Sequence, residues 1–167
     1  LPQKFIRKID EGGYTKDLEV DFDHQNQKAY VQDKKKKTNE VFTTKKNVQD
    51  MVSAFYYLRN SYDTDNIREG DLVKLNMFID DENFDFQLMF LERETLDTDF
   101  GRIRALKFRP YVKADRVFKQ QDGLTIWISD DANKIPLRVK ADLVVGSLRA
   151  DLEAFKGLKH SFKKEFD

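Results

Sequence analysis

The stretch LTIWISDDANKIPLRVKADLVVG, residues 124–146, decides how this chain is read. It opens with alternating apolar residues and sets the only tryptophan, Trp127, just before an acid pair, Asp130 and Asp131. A second alternating run follows after Ile135 and Pro136. A period of two marks a half-buried strand, and Asp-Asp-Ala-Asn is ordinary turn chemistry, so the stretch reads as a β-hairpin. Adjacent carboxylates on an extended chain point apart, which argues against a catalytic or metal-binding pair. The corner reading is favoured. Changing both acids to asparagine would then cost about 1 kcal/mol or less per lost turn contact.

The second run changes phase. Ile135, Leu137, Val139, Ala141, Leu143 and Val145 fall on odd positions, whereas Leu148, Ala150 and Leu152 fall on even ones. A slip of one residue would turn the apolar face outward, so a bulge or sharp bend with a positive φ is expected at Gly146. A long strand bent in this way suits a coiled sheet or barrel wall.

Strand signals dominate elsewhere. In YTKDLEVDFD the apolar residues Tyr14, Leu18, Val20 and Phe22 alternate with polar ones, and a turn at His24 to Gln27 leads to a returning strand over 28–32. The run Lys34 to Lys37 has no interleaved aromatic and reads as a solvated hairpin tip. Val73, Leu75, Met77 and Ile79, then Phe84, Phe86, Leu88 and Phe90, alternate about Asp80, Asp81, Glu82 and Asn83, which predicts a hairpin over 72–91. Another strand is expected from Gly101 to Arg109, limited by Pro110, and Asp122-Gly123 marks a turn before Leu124. One segment departs from this pattern. Val48, Met51, Val52, Phe55, Leu58 and Tyr62 follow helical spacing, so a helix is predicted over 48–60 with Asn47 as its N-cap.

Composition bounds the function. The 167 residues allow one domain with a real core, expected over 1–158, followed by a frayed tail over 159–167. Lysine plus arginine and aspartate plus glutamate are each 30, and this balance argues against a nucleic-acid partner. No cysteine is present, so thiolate chemistry and disulfides are excluded. No apolar run approaches the roughly 18 residues needed to span a bilayer as a helix. The opening LPQKFIRKID has neither an initiator methionine nor a signal peptide, and the chain is expected to be a piece of something longer.

Candidate chemistry is sparse. Glu92 and Glu94 lie on one face of a strand, as paired acids of a glycosidase would, but strands carry such charges on their solvated side, with Arg93 and Arg102 as neighbours. His24 lies in a turn and His160 in the tail, so neither completes a nucleophile–base pair or a zinc site. The segment Asp63-Thr64-Asp65-Asn66 begins like a calcium loop, but Ile67 and Arg68 occupy the next ligand and glycine positions. No metal and no cofactor is expected. Arg109, Arg116, Trp127 and Arg138 form one constellation above background, able to hold an anion beside an indole. The favoured alternative is arginines paired with Asp130, Asp131 or Asp142.

At FYYLRN, GDLVKLNMFIDDE, LKFRPYV, GLTIWISDDANKIPLRVKADLVVGSL and ADLEAFKGL the chain resembles domain-of-unknown-function family 3108, exported proteins frequent in Bacteroidetes. The most specific piece is W-x-S-D-D-x-N-x-x-P, here Trp127, Ser129, Asp130, Asp131, Asn133 and Pro136. Family members carry additional N-terminal strands and a signal peptide, so the strand over 5–9 is expected to lack a partner. The resemblance implies an exported or periplasmic β-rich domain, similar to the lipoprotein-carrier superfamily, with no catalytic residue to carry over.

The expected fold is mainly β: a strongly curved antiparallel sheet or partial barrel with one helix on its concave side. The leading functional expectation is a non-enzymatic envelope protein binding a lipid-like or other amphipathic ligand, or another envelope protein. Phe55, Tyr56, Met77, Phe84, Phe86, Leu88 and Phe90 would line its groove. The alternatives are a scaffold with a filled core and a hydrolase of envelope carbohydrate or lipid.

Overall fold

The computed structural model describes residues 1–111, 123–143 and 145–162. Arg116, with Val117 and Phe118, and Asp122 of the expected Asp-Gly turn lie outside the described residues. The chain is mainly β and antiparallel with one short helix, as its alternation predicts. The expected single curved sheet is corrected to two sheets, neither closed into a barrel nor strongly curled. Strands β1 (Lys4–Glu11), β2 (Tyr14–Asp23), β3 (Lys28–Asp33) and β4 (Thr38–Thr43) form the first, in that order. After helix α1 (Ser53–Asn60) come β5 (Leu72–Ile79), β6 (Glu82–Thr98), β7 (Gly101–Pro110), β8 (Leu124–Ser129), β9 (Pro136–Asp142) and β10 (Ser147–Asp151), which line up side by side as the second. No helix is long and apolar enough to cross a membrane among the described residues.

Two compact units are present: Leu1–Leu58 with Leu75–Asp85, and Arg59–Lys74 with the chain from Phe86 on. In the first, the even residues Leu18 and Val20 of β2 are buried with Ala29, Val31, Val48 and Phe78, and Phe5, Phe22 and Phe42 pack against them. The strand over 5–9 does have a partner. β1 pairs with β2 from Lys4↔Asp21 to Glu11↔Tyr14, and the two residues left for the turn are Gly12 and Gly13, at φ 52° and 90°. Both central residues of a tight hairpin turn of this hand need positive φ, which glycine accepts without strain. The lysine run joins β3 to β4 as a tip, where Lys34 pairs with Glu19 at 2.7 Å. Lys34 and Lys4 together hold the Glu19 carboxyl down to about 2.

The helix begins later than its apolar spacing predicts. Asn47 sits at φ 57°, and Gln49 is spent on a bridge to β5, with its N–H on Asn76 O at 2.8 Å and its carbonyl accepting Phe78 N at 2.9 Å. Asp50 is the N-cap. Its carboxylate accepts the N–H groups of Val52 and Ser53 at 2.7 and 2.8 Å, while Ser53 Oγ accepts Asp50 N at 2.9 Å. That reciprocal arrangement satisfies the orphan donors of the first turn and fixes the start at Ser53.

At the turn between β5 and β6, Asp80 takes φ 61°, and its carboxylate accepts both Arg7 Nη1, at 2.8 and 2.9 Å, and Lys16. Burial raises its pKa, but the bonds from Lys16 and Arg7 outweigh burial and leave the carboxyl below the usual range. A depressed folded pKa stabilises above the unfolded value of about 3.9, and that stability is lost as pH falls through the folded value. Asp80→Asn should therefore cost about 1–2 kcal/mol at neutral pH, allowing for partial exposure. The gap to the parent should narrow in urea melts as pH falls below the ordinary carboxylate range; a gap unchanged by pH would contradict the ion cluster.

In the second unit Leu96, Ile103, Ala105, Trp127, Ile135 and Leu137 form a buried cluster. The phase change at Gly146 has another cause than the expected bulge. β9 and β10 are separate antiparallel strands, paired from Ser147↔Asp142 onward, so the chain reverses after Asp142. Leu143 N donates to Gly146 O at 3.0 Å, and Gly146 has φ 80°. The positive φ is as expected; the continuous bent strand is replaced by a reversal, after which parity starts afresh.

Candidate functional site

The signature residues meet at the turn from β8 to β9. Ser129 ends β8, and its hydroxyl donates to Asp131 Oδ1 at 2.8 Å while accepting Ile135 N at 2.9 Å. Asp131 is 7 % exposed, and its Oδ1 also accepts the N–H groups of Asn133 at 2.9 Å and Lys134 at 3.1 Å. A short acidic side chain that bonds backbone two residues on is the local signal for such a turn. Asn133, 2 % exposed, turns the other way. Its Nδ2 donates to His160 O at 3.0 Å and its Oδ1 accepts His160 N at 3.0 Å. Pro136 opens β9, where a missing N–H is tolerated.

The neighbouring acid does different work. Asp130 lies 3.4 Å from both Arg93 Nε and Arg104 Nη2. Arg93 also donates to the carbonyls of Thr64 and Ile67, and Arg59 donates to Asn133 O. Lys134 Nζ donates to Tyr62 O and stands 4.7 Å from the Tyr62 ring centre. The Tyr62 hydroxyl is buried without a hydrogen-bond partner, and burial, then Asp130 and Asp131, push its pKa above the ordinary tyrosine range against the pull of Arg59. Arg59, Arg104, Tyr62 and Lys134 were outside the candidate set. Their contacts to the turn span more than 70 positions for Arg59 and Lys134, and local periodicity carries no signal for that.

The indole of Trp127 has an acid and a lysine for neighbours. Trp127 Nε1 donates to Glu94, and Lys107 Nζ stands 5.9 Å from the indole. Arg138 is opposite Trp127 in register but binds Asp151 at 2.5 Å and Asp97 O at 3.2 Å. Its carboxylate partner is Asp151 rather than Asp130, Asp131 or Asp142. Arg109 lies on β7 opposite Met89, and Arg116 is outside the described residues. Glu92 and Glu94 do share a face, where Lys107 reaches them at 2.8 and 3.5 Å. His24 meets Pro2 O and stacks on Phe22.

The groove candidates divide between the units. Phe55, Tyr56, Met77 and Phe84 belong to the first, and Phe86, Leu88 and Phe90 to the second. Met77, Leu88 and Phe90 are buried, Phe84 and Phe86 half-buried, and Phe55 and Tyr56 exposed.

The Ser129 hydroxyl donates to a carboxylate that also accepts two backbone N–H groups, so the polar groups of the signature turn are engaged with one another and with the backbone. Among the described residues, no three histidine, aspartate or glutamate side chains gather to hold a metal ion. No curated protein and no solved structure matches the chain. The model of one family, the proteins of unknown function DUF3108, matches residues 1–153, strands and signature turn included, and the chain belongs to that family.

Proposed function

We propose that the chain is a non-enzymatic binding module of the cell envelope that takes a lipid-like or other amphipathic molecule on exposed aromatic surface. The observation that carries this reading is the outward stripe of α1 and its approach. Met51, Val52, Phe55 and Tyr56 are 41, 59, 43 and 64 % exposed, whereas Ala54 and Leu58 are the buried residues of the helix. Val52, Phe55 and Tyr56 follow i, i+3, i+4 spacing and share one face. Clustered exposed apolar side chains mark an interaction surface, whereas single scattered ones need no explanation. The non-enzymatic part is supported by the inward commitment of Ser129, Asp131 and Asn133, and by the pairing of Lys107 with both Glu92 and Glu94. Export to the envelope rests on the family resemblance. A scaffold with a filled core is the second reading, favoured by the burial of Met77, Leu88 and Phe90.

The test is titration of the intact chain with a fluorescent long-chain fatty acid. Saturable binding is expected, weakened at least about tenfold, or roughly 1.4 kcal/mol, by Phe55→Ser with Tyr56→Ser. No uptake by the parent chain would leave the scaffold reading.

A further inference from the structure

Strand β10 ends the second sheet. Among the described residues, β9 pairs with one of its edges and no strand pairs with the other. Every residue of β10 is exposed, Leu148 by 65 %. The ladder fixes which backbone groups face the open edge. Leu143 N donates to Gly146 O at 3.0 Å and Leu152 N to Leu137 O at 2.9 Å. Both bonds continue the register of β9 with β10, so the even residues of β10 spend their N–H and C=O groups on β9. Those of Ser147, Arg149 and Asp151 point outward, a template for another strand.

The side chains on this edge select which strand fits. An antiparallel partner exchanges bonds only where its own outward-facing residues lie opposite these. For a second copy of β10, the registers that satisfy this centre on Leu148, Arg149 or Ala150. Centring on Leu148 leaves Asp151 opposite Val145, and centring on Arg149 sets two guanidinium groups face to face, which destabilises a strand pair. Centring on Ala150 reads Leu148-Arg149-Ala150-Asp151-Leu152 against itself. Leucine then meets leucine, alanine meets alanine, and each Arg149 meets the other copy's Asp151. Arg149 and Arg138 already hold Asp151 at 2.6 and 2.5 Å, so base and acid stand on one face of the strand. Charges on an edge keep foreign strands away, whereas opposite charges directly across a pair stabilise it.

We propose that β10 is a self-association edge, on which a second copy of this chain adds its own β10 antiparallel about Ala150. The contact is isologous and closes as a two-fold dimer. A strand pair this short belongs to the small, transient class of interface, so the dimer forms at high protein concentration and separates on dilution.

The test is sedimentation velocity on the full chain, over a concentration series reaching the millimolar range. The parent should dimerise. Arg149→Asp and Asp151→Arg should each weaken the dimer at least about fivefold, because like charges then meet twice across the two-fold axis. Mixing these two variants places only opposite charges across the edge and should restore the dimer. Disulfide trapping keeps the proposal testable if the charge variants fold poorly. The chain has no cysteine, and Ala150→Cys sets two thiols opposite each other with Cα atoms about 4.5 Å apart, within disulfide range. Leu148→Cys sets them four residues out of register, about 13 Å apart. Mild oxidation should therefore link the first variant and not the second. A parent that stays monomeric throughout the series would overturn the proposal, as would equal trapping at the two positions. So would a dimer of full strength in both charge variants. Its loss on Lys8→Glu at the edge of β1, or on Phe55→Ser with Tyr56→Ser, would assign it to those surfaces instead.

Discussion

Phe78→Ala is expected to cost the first unit about 3–5 kcal/mol, the largest single effect in the chain. Phe78 is 1 % exposed, its ring stands edge-on to Phe22 at 6.1 Å, and it tilts against Phe42 at 5.9 Å. Leu18, Val20, Ala29, Val31 and Val48 complete the cluster. Removing the ring loses the transfer free energy of a large apolar group and leaves a cavity that close packing only partly collapses. Tyr30→Ala is the control. That residue is 44 % exposed, and surface changes away from special features fall within about 0.5 kcal/mol. Urea melts of the two variants should therefore separate widely. A loss below about 1.5 kcal/mol for Phe78→Ala would mean that the cluster is loosely packed.

The second large effect separates two adjacent acids that their sequence presents as equals. Asp131→Ala should cost about 3 kcal/mol, because it strips four hydrogen bonds to a buried carboxylate and strands the N–H of Asn133. Asp131→Asn keeps an acceptor and should cost about half as much. Asp130→Asn should cost about 1 kcal/mol or less, since its pairs are long and Arg104 is 57 % exposed. Equal losses at the two positions would contradict the division of labour.

Legibility followed the range of the interactions. Alternation in β2 placed Leu18 and Val20 inward correctly, because one face of that strand is buried and the other is not. The same rule missed Phe78. β5 buries Met77 and Phe78 on opposite sides, and a period of two cannot report a strand covered on both faces. Helical spacing found α1 but misplaced its start, since Asp50 with Ser53 forms a better cap than Asn47 and the chain over 48–50 is held by β5. The corner at Asp130 and Asp131 was readable because turn chemistry is local. What that corner fastens was not, since Asn133 reaches His160 across 27 positions and Arg59 reaches Asn133 across 74.

In the W-x-S-D-D-x-N-x-x-P run, the polar groups of Ser129, Asp131 and Asn133 act as a latch, holding the backbone of their own turn and of His160. Residue-resolved amide hydrogen exchange tests it most directly. The amides of Asn133 and Lys134 are held by Asp131, that of Ile135 by Ser129, and that of His160 by Asn133. Side chains accept from all four, and Lys134 N also reaches the Asp131 carbonyl at 3.2 Å, so the predicted result is protection of these amides well above that of the exposed Lys34–Lys37 tip, with the largest loss at Asn133 in Asp131→Ala. Exchange of all of them as fast as the lysine tip would contradict the latch.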